Sequence, residues 1–218
     1  TPLTLILGPL EDMQKETSLP AKQAQKLSVI HQSALRLLNL INQILEFRKT
    51  ETQNKKLCVS KGNIAPLIYE IGLKYKELNQ KTKIDFQIQI EKEEMFLFFD
   101  KEIITIVLDN LISNAIKYTE QGRVTLSLYQ TMRNEVAYTE IKVSDTGYGI
   151  SAEALPHIFD RYYQESGKHQ ASGTGIGLAL VKNLVTLHEG EIRAESMQNE
   201  GSTFYISLLT DNIYPNAL

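Results

Sequence analysis

Three stretches of this 218-residue sequence decide its fold. They read Asn-Leu-Ile-Ser-Asn-Ala-Ile-Lys-Tyr at residues 110–118, Asp-Thr-Gly-Tyr-Gly-Ile at residues 145–150 and Gly-Thr-Gly-Ile-Gly-Leu at residues 173–178. The first predicts a helix with a polar stripe, the second a strand that ends in a glycine turn, and the third a glycine-rich entry to a helix. Each signal is weak alone, but in this order the three describe one nucleotide pocket.

The polar stripe carries two carboxamides, a lysine and a tyrosine. Asn110, Asn114, Lys117 and Tyr118 follow helical spacing and therefore share one face of the helix. Carboxamide oxygens suit Mg²⁺, and a lysine ammonium can meet phosphates as a point charge. We predict that Asn114 is a Mg²⁺ ligand with Asn110 as its neighbour. The alternative is that these side chains line the exposed side of a surface helix.

The two glycine stretches predict the opposite ends of a nucleotide site. Asp145 ends a predicted strand, where its carboxylate can accept a hydrogen bond from an exocyclic amine such as N6 of adenine. The stretch at residues 173–178 presents free backbone N–H groups and the positive end of a helix dipole to phosphate. It matches neither the P-loop nor the Rossmann fingerprint.

The composition is that of a soluble globular protein. Apolar residues make up 42% and charged residues 22% of the chain. The net charge of −3 does not indicate nucleic-acid binding. The one cysteine, Cys58, excludes an internal disulfide framework, and we expect a buried or half-buried thiol. No apolar run approaches the about 18 residues that span a bilayer, and no signal peptide opens the chain.

The first 50 residues predict a helical hairpin. In the second helix, apolar residues recur at alternating steps of three and four, namely at Leu27, Ile30, Ala34, Leu37, Ile41 and Ile44. The same spacing runs through residues 3–13, where Pro9 is expected to kink the first helix, and residues 16–20 form the turn. Because two such helices cannot bury both apolar stripes alone, we predict a homodimer through residues 1–50 that forms a four-helix bundle.

Beyond residue 50 the pattern becomes mixed. We predict strands at residues 56–60, 83–90, 95–99, 123–130, 136–144, 191–195 and 203–208, with a hairpin turn at 132–135, and helices at 63–80, 101–118 and 174–188. Asn63 and Asp100 are the expected N-caps, and Gly190 the expected helix stop. The fold class is therefore α+β, with a helical hairpin at residues 1–53 and an α/β sandwich, one mixed sheet covered by helices, at 54–218.

On these motifs the sequence resembles the sensor histidine kinases, whose ATP-binding domain shares the GHKL (Bergerat) fold with DNA gyrase and the mismatch-repair ATPases. Residues 110–118 resemble the asparagine box, 145–150 and 173–178 the glycine boxes, 159–163 the phenylalanine box, and 200–204 the closing motif. The resemblance implies Mg²⁺-ATP as ligand and a lid at residues 151–172. It also implies nucleotide contacts by Asn110, Asn114, Lys117, Tyr118, Asp145, Gly147, Gly149, Ile150, Arg161, Lys168, Thr174, Gly175, Gly177, Leu178 and Thr203.

The resemblance also bears on the reaction. ATP-hydrolysing members of the fold family carry a water-activating glutamate where this chain has Asn110, so transfer to a protein acceptor is favoured over hydrolysis. Two other functions stay open, a gyrase-like ATPase and a nucleotide-binding scaffold, or pseudokinase, that signals by conformation alone.

The phosphate acceptor in such kinases is a histidine on the first bundle helix. The resemblance places it four residues before Thr1, and Thr1 itself at a position associated with phosphatase activity. None of the four histidines present is expected to be phosphorylated: His31 is predicted to be exposed on the second helix, His157 and His169 lie in the lid, and a protonated His188 suits the end of its helix.

The opening residues 1–11 particularly resemble hybrid sensor kinases of gut Bacteroidetes. This likeness implies a cytoplasmic fragment of an inner-membrane sensor whose phosphate passes to an aspartate of a receiver domain. In such hybrid kinases the receiver domain and the kinase core share one polypeptide.

Overall fold

The computed structural model describes residues 2–15, 20–51, 56–80, 83–164 and 174–210. The chain divides into two compact units, Thr1–Lys49 and Thr50–Leu218. Thr1, Lys168 and His169, for which the sequence predicts roles or positions, lie outside the described residues.

The N-terminal unit consists of two helices, as predicted. Helix α1 spans Pro2–Lys15 and includes Pro9, and helix α2 spans Ala21–Glu51, the last two residues of which belong to the second unit. Several apolar side chains of the predicted seam are exposed in the single chain, namely Ile30, Leu37, Ile41 and Ile44. An apolar stripe left open to water in this way is what a partner helix would cover.

His31 departs from its prediction. Its side chain is only 18% exposed, and its Nε2 lies 3.7 Å from Oε1 of Glu11 on α1. The prediction of an exposed helical histidine is therefore wrong, because the residue faces the other helix of its unit.

The C-terminal unit is a mixed α/β layer structure. Its elements are β1 (Ser60–Asn63), α3 (Ala65–Leu78), β2 (Ile84–Ile90), β3 (Phe96–Phe99), α4 (Lys101–Tyr118), β4 (Gly122–Arg133), β5 (Val136–Asp145), α5 (Gly177–Leu187), β6 (Glu191–Met197) and β7 (Gly201–Leu209). A short 3₁₀ turn occupies Leu155–His157. Five strands form one sheet in the order β2-β4-β5-β7-β6, in which β2 and β4 are parallel and the other pairs antiparallel.

The core lies on one face of this sheet. In β4, Val124, Leu126 and Leu128 alternate with more polar residues, and all three are buried. Alternation of this kind turns every second side chain toward the helices. Helix α4 meets that face with an apolar stripe that includes the fully buried Val107 and Leu111.

Local signals in the sequence explain two of the chain's turning points. Asp100 caps α4, because its Oδ1 accepts a hydrogen bond from the backbone N–H of Ile103 at 3.1 Å. Strands β4 and β5 are joined by Asn134 and Glu135, both with positive φ, which is the two-residue turn that fits a twisted hairpin. The cap and the hairpin confirm the sequence prediction, but the turn is shorter than the predicted 132–135, because Met132 and Arg133 still belong to β4.

Several element boundaries differ from the prediction. The strand predicted at residues 56–60 is wrong: β1 begins only at Ser60 and pairs with β3 in a separate two-stranded sheet, so the single predicted sheet is incomplete. Helix α3 starts after Ile64, although Asn63 still accepts a bond from Ala65 N at 3.2 Å. The helix predicted at residues 174–188 begins at Gly177 and ends at Leu187.

The stop of α5 also has a different cause from the one predicted. The residue with positive φ is Glu189, not Gly190. Gly190 is needed for another reason, since a Cβ there would lie 2.8 Å from Cδ2 of Leu208 and 3.0 Å from the carbonyl oxygen of Ser207. The glycine thus allows the chain after α5 to lie directly on β7.

Two further expectations concern exposure. Cys58 is exposed, so the prediction of a buried or half-buried thiol is wrong. Within the described ranges, no helix combines the length and apolar character that crossing a bilayer requires.

Candidate functional site

Helix α4 carries the predicted polar stripe, and its first member is buried. Asn110 is 8% exposed, and its Nδ2 donates to the carbonyl oxygen of Ile106 at 2.8 Å. Its Oδ1 points to the start of α5, where a Cβ on Gly177 would lie only 2.9 Å away. For Asn110, the alternative of an exposed helix side is therefore wrong.

The rest of the stripe becomes more exposed toward the end of the helix. Asn114 is half-buried, whereas Lys117 and Tyr118 are exposed. The Lys117 ammonium lies 3.2 Å from the Tyr118 hydroxyl and 4.8 Å from the centre of its ring. A cation–π contact of this kind holds the ammonium at the end of α4.

Asp145 ends β5 and is largely buried, at 8% exposed. Its Oδ1 accepts hydrogen bonds from the backbone N–H groups of Gly147 at 2.9 Å and Ser202 at 3.3 Å. Burial raises the pKa of the Asp145 carboxyl, and the two backbone donors act in the opposite direction. Across the described parts of the chain, its Oδ2 receives no hydrogen bond, which leaves one acceptor oxygen for a donor from a ligand.

The glycine turn after Asp145 lies against the end of α4. A Cβ on Gly147 would come within 2.2 Å of the carbonyl oxygen of Tyr118, and that same carbonyl accepts a bond from Tyr148 N at 3.1 Å. On the other side, the Ile150 N–H donates to Ser196 Oγ of β6 at 2.8 Å. The turn is therefore fixed between the asparagine-bearing helix and the far edge of the sheet.

Gly149 and Gly201 allow equally close backbone contacts. Gly149 has φ of 66°, and a Cβ there would lie 2.0 Å from the Met197 carbonyl oxygen. Gly201 has φ of 113°, and a Cβ there would lie 2.0 Å from the carbonyl oxygen of Asp145. Residues with a Cβ avoid both the conformation and the contact.

Strand β7 presents Ser202, rather than Thr203, on the face of Asp145. Thr203 pairs with Ser144, and their hydroxyl oxygens lie 2.9 Å apart. Ser202 instead donates its N–H to Asp145, and its Oγ lies 3.0 Å from Ser196 Oγ. The sequence prediction missed Ser202 and Ser196, although the alternation of β7 could have found the first: Phe204 is buried in the core, and Ser202 is two residues before it.

The phenylalanine-box residues contact both the sheet and the glycine-rich loop. Phe159 meets Phe204 of β7 edge to face, with ring centres 6.4 Å apart. Tyr162 has φ of 61° and donates its N–H to the carbonyl oxygen of Gly175 at 2.9 Å. A Cβ on Gly175 would lie 2.6 Å from the Tyr162 backbone, so the two loops touch through their main chains.

The remaining predicted contacts lie in or beside these loops. Arg161 is exposed, and Leu178 is half-buried in the first turn of α5. Thr174 Oγ1 accepts a long hydrogen bond of 3.4 Å from Ile176 N, just before α5 begins. The structure thus brings Asn110 to Gly177, Tyr118 to Gly147 and Asp145 to Gly201, and Lys168 lies outside the described residues.

The site offers carbonyl and amide oxygens rather than a carboxylate cluster to a metal. Among the residues that the structure describes, no group of three or more His, Cys, Asp and Glu side chains is placed to hold a metal ion. A cation bound at Asn110 and Asn114 must therefore complete its coordination with water and phosphate oxygens, which is the mode that Mg²⁺ prefers.

The histidines of the second unit differ in exposure. His157 is exposed, with its Nδ1 2.9 Å from Oδ2 of Asp160. His188 is 1% exposed, and its Nε2 accepts a bond from the backbone N–H of Asp100 at 3.0 Å. Burial lowers the pKa of His188, so the predicted imidazolium at the end of α5 is wrong.

Family models match both units of the chain. Residues 99–212 match the model described as histidine kinase-, DNA gyrase B- and HSP90-like ATPase, and residues 1–53 match the His Kinase A (phospho-acceptor) domain. The first match covers more than half of the chain and includes every predicted nucleotide contact.

Curated relatives extend the likeness to nearly the full chain. Histidine kinase P4 of Formosa agariphila is 36% identical over 95% of this chain, and the autoinducer 2 sensor kinase/phosphatase LuxQ of Vibrio vulnificus is 33% identical over 95%. The chain spans only 15% and 25% of the lengths of these two proteins.

Solved structures share the fold. Full-length ShkA in complex with AMPPNP aligns with a TM-score of 0.76 at 24% identity, over 95% of this chain and 42% of that one. The nucleotide-free catalytic domain of the histidine kinase ThkA aligns with a TM-score of 0.58 at 26% identity, over 70% of this chain and 97% of that one.

Proposed function

The chain belongs to the histidine kinases, and from that membership we propose that it is the core of an ATP-dependent kinase that phosphorylates a histidine in a two-component system. The observation that carries the proposal is the convergence of three residue pairs. Asn110 meets Gly177, Tyr118 meets Gly147, and Asp145 meets Gly201, so motifs that are distant in sequence form one site.

The base of the nucleotide is held at Asp145. The carboxylate already accepts two backbone hydrogen bonds on Oδ1, and Oδ2 accepts the exocyclic amine of adenine. Ser202 and Ser196 line the same face of the sheet, whereas Thr203 supports the strand pair from the opposite face. A purine that lacks the amine covers Oδ2 without giving it a donor, which disfavours the binding of that purine.

The phosphates are held where α5 begins. The first N–H groups of α5 and the positive end of its dipole face this region, and Gly177 keeps it clear of a side chain beside Asn110. Lys117, Arg161 and Lys168 are the proposed cationic contacts of the phosphates. Gly149 and Gly175 allow the loops around the nucleotide to pack closely against the backbones of Met197 and Tyr162. Thr174, Ile150 and Leu178 flank the nucleotide.

Asn110 and Asn114 supply amide oxygens for Mg²⁺. When bound, the ion neutralises phosphate charge and orients the γ-phosphate. Neither amide can remove a proton from water at neutral pH, so the site is suited to transfer to a protein acceptor rather than to rapid hydrolysis.

The N-terminal unit supplies the dimer contact, and the acceptor precedes its first described helix. The exposed seam of α2 supports a homodimer through residues 1–50, and the acceptor is the histidine placed four residues before Thr1. From there the phosphate passes to an aspartate of a receiver domain. We place the chain on the cytoplasmic side of a membrane sensor, with residues 1–53 and 54–218 as its two domains.

The kinase reaction can be tested on a chain extended N-terminally to include the acceptor histidine. Incubation with γ-labelled ATP and Mg²⁺ should leave a label on the protein that is lost in acid and kept in base. Replacing the acceptor histidine by glutamine should remove the label. Free phosphate without labelled protein would contradict transfer and favour hydrolysis.

The nucleotide site can be tested by calorimetry. Asp145→Ala and Asn114→Asp should each abolish measurable Mg²⁺-ATP binding, because the first removes the base acceptor and the second changes the metal ligand. Asp85→Ala is the matched control, since Asp85 is an exposed carboxylate on β2, and it should leave the affinity unchanged. Unchanged affinity in both site variants would rule out this pocket.

A further inference from the structure

Helices α4 and α5 contact each other near both ends of α5. At one end, Gly177 faces Oδ1 of Asn110 in the proposed phosphate site. At the other end, His188, which follows the last turn of α5, accepts the backbone N–H of Asp100 through Nε2 at 3.0 Å. Asn110, Asp100 and His188 are all buried. The end of α5 lies at the start of α4, and the start of α5 lies at the middle of α4, so the helices are antiparallel.

The spacing of the two contacts matches along the two helices. At about 1.5 Å per residue, Asp100 and Asn110 are separated by about 15 Å along α4, and Gly177 and His188 by about 16 Å along α5. A contact that fixes one end of such a pair therefore fixes the register at the other end. A shift of α5 by one residue would move Gly177 away from Asn110.

We propose that His188 is a positioning residue for nucleotide binding, which holds α5 at the register along α4 that sets Gly177 against Asn110. The inference rests on the proposed function, because it concerns the phosphate end of the same site. His188 does not touch the nucleotide in this proposal. It acts through the position of the first turn of α5.

The hydrogen bond defines the protonation state that does this. A peptide N–H can only donate, so Nε2 of His188 must carry no proton, and the imidazole is neutral. The 1% exposure of the residue and its lowered pKa agree with this state. A proton on Nε2 would set two N–H donors against each other and open the contact.

Two charged groups face the imidazole. Asp100, at the N-cap of α4, has both carboxylate oxygens engaged, one by Ile103 N and the other by Cys58 N at 2.8 Å. Glu189 follows His188 directly in the chain. Both favour the protonated ring, whereas burial disfavours it and has the larger effect.

The test compares the affinity for Mg²⁺-ATP of the full chain and two variants by calorimetry at pH 7.5 and 5.5. His188→Gln keeps an acceptor close to the position of Nε2 but does not titrate. His188→Leu fills a similar volume and removes the acceptor. Because the three proteins share every other titratable group, Asp145 included, we attribute the difference between their pH profiles to His188.

We expect His188→Gln to bind like the wild type at pH 7.5 and to lose less affinity than the wild type at pH 5.5. We expect His188→Leu to bind at least about fivefold more weakly at both values, the loss that corresponds to one hydrogen bond. Should the leucine variant fail to fold, the comparison of wild type with His188→Gln decides alone.

The inference is overturned if the wild type and His188→Gln share one pH profile, or if His188→Leu loses thermal stability but binds with wild-type affinity while folded. The second result would show that the residue is merely structural. A wild-type chain that binds no nucleotide at either pH would instead contradict the proposed function itself, and the inference with it.

Discussion

Gly201 brings the backbones of β5 and β7 into contact beside Asp145. An alanine there combines an unfavourable φ of 113° with a Cβ 2.0 Å from a carbonyl oxygen. We expect Gly201→Ala to lower the free energy of unfolding by at least about 2 kcal/mol in denaturant titrations. Gly62→Ala is the control, because the nearest atom to its Cβ is a ring carbon of Phe99 at 3.4 Å, and the change should be small.

Glu140 is a carboxylate buried on the sheet face away from the helices. It is 2% exposed and contacts Arg133, Tyr129 and Ser207, the last at 3.0 Å from its Oε2. Removing the anion leaves the hydroxyl groups of Tyr129 and Ser207 without their acceptor, and Arg133, which is 34% exposed, without its buried partner, at a cost of about 1–3 kcal/mol.

We therefore expect Glu140→Ala to be strongly destabilising by thermal and urea unfolding. Glu191→Ala should be nearly neutral, since Glu191 meets the same arginine at 3.4 Å but is 69% exposed. Equal losses in both variants would contradict the importance of burial at Glu140.

At the scale of single residues, composition and spacing predicted chemistry better than environment. The stripe on α4 and the carboxylate at Asp145 are where the motifs put them. The predicted protonation of His188 and the predicted burial of Cys58 are both wrong, because they depend on strands and helix ends that meet across the fold. The motif points to Thr203, whereas the alternation of β7 places Ser202 on the face of Asp145.

The contact between α4 and α5 makes the free energy of unfolding depend on pH. An unfolded histidine binds a proton below a pKa of about 6.5, whereas His188 in the folded chain binds it only at lower pH. The unfolded state therefore holds more protons in this window. Well above pH 6.5, His188 is unprotonated in both states and adds no pH dependence to the stability. The free energy of unfolding decreases as the pH falls below 6.5, and this decrease ends below the pKa of His188 in the folded chain.

We expect the midpoint of urea unfolding to decrease between pH 7 and pH 5 by a larger amount in the wild type than in His188→Gln. The slope from this one group is at most about 1.4 kcal/mol per pH unit. Parallel curves for the two proteins would show that another group controls the stability in this range.

Elements with strong local signals were predictable, and those defined by distant partners were not. Asp100 indicates the start of α4 through its capping side chain. The turn at Asn134 and Glu135 indicates the β4–β5 hairpin. Strand β1 reads Ser-Lys-Gly-Asn, which has no apolar alternation, and it is a strand only because β3 pairs with it. Helix α5 begins later than its pattern suggested, because Gly175 has the positive φ of 67° that a helix excludes.

At the scale of the whole molecule, the open seam of α2 predicts self-association. Leu37 is 50% exposed in the single chain and lies at the centre of the seam. We expect Leu37→Glu to raise the dimer dissociation constant at least about tenfold, as the loss of one buried leucine per protomer implies. Analytical ultracentrifugation measures this directly.

Gln32→Glu is the matched control for Leu37→Glu. Gln32 is an exposed polar residue of α2, and its spacing from Leu37 puts it on the opposite side of the helix, so the variant introduces the same charge away from the predicted seam. It should leave the dimer intact. Circular dichroism should show the same helix content in both variants, and a monomeric wild type would contradict the dimer.

The pairing of β5 with β7 has a consequence for the order of folding. The β4–β5 and β6–β7 hairpins are closed by short turns, whereas Ser144 meets Thr203 only after a long intervening segment has been brought back. Because such non-local pairings form slowly, the two halves of the base site come together late. Asp145 and Ser202 face each other only once this pairing exists, so partly folded chains lack the site. A nucleotide then acts on the native state alone, and at a hundredfold excess over its dissociation constant it stabilises the folded chain by about 2.7 kcal/mol through mass action.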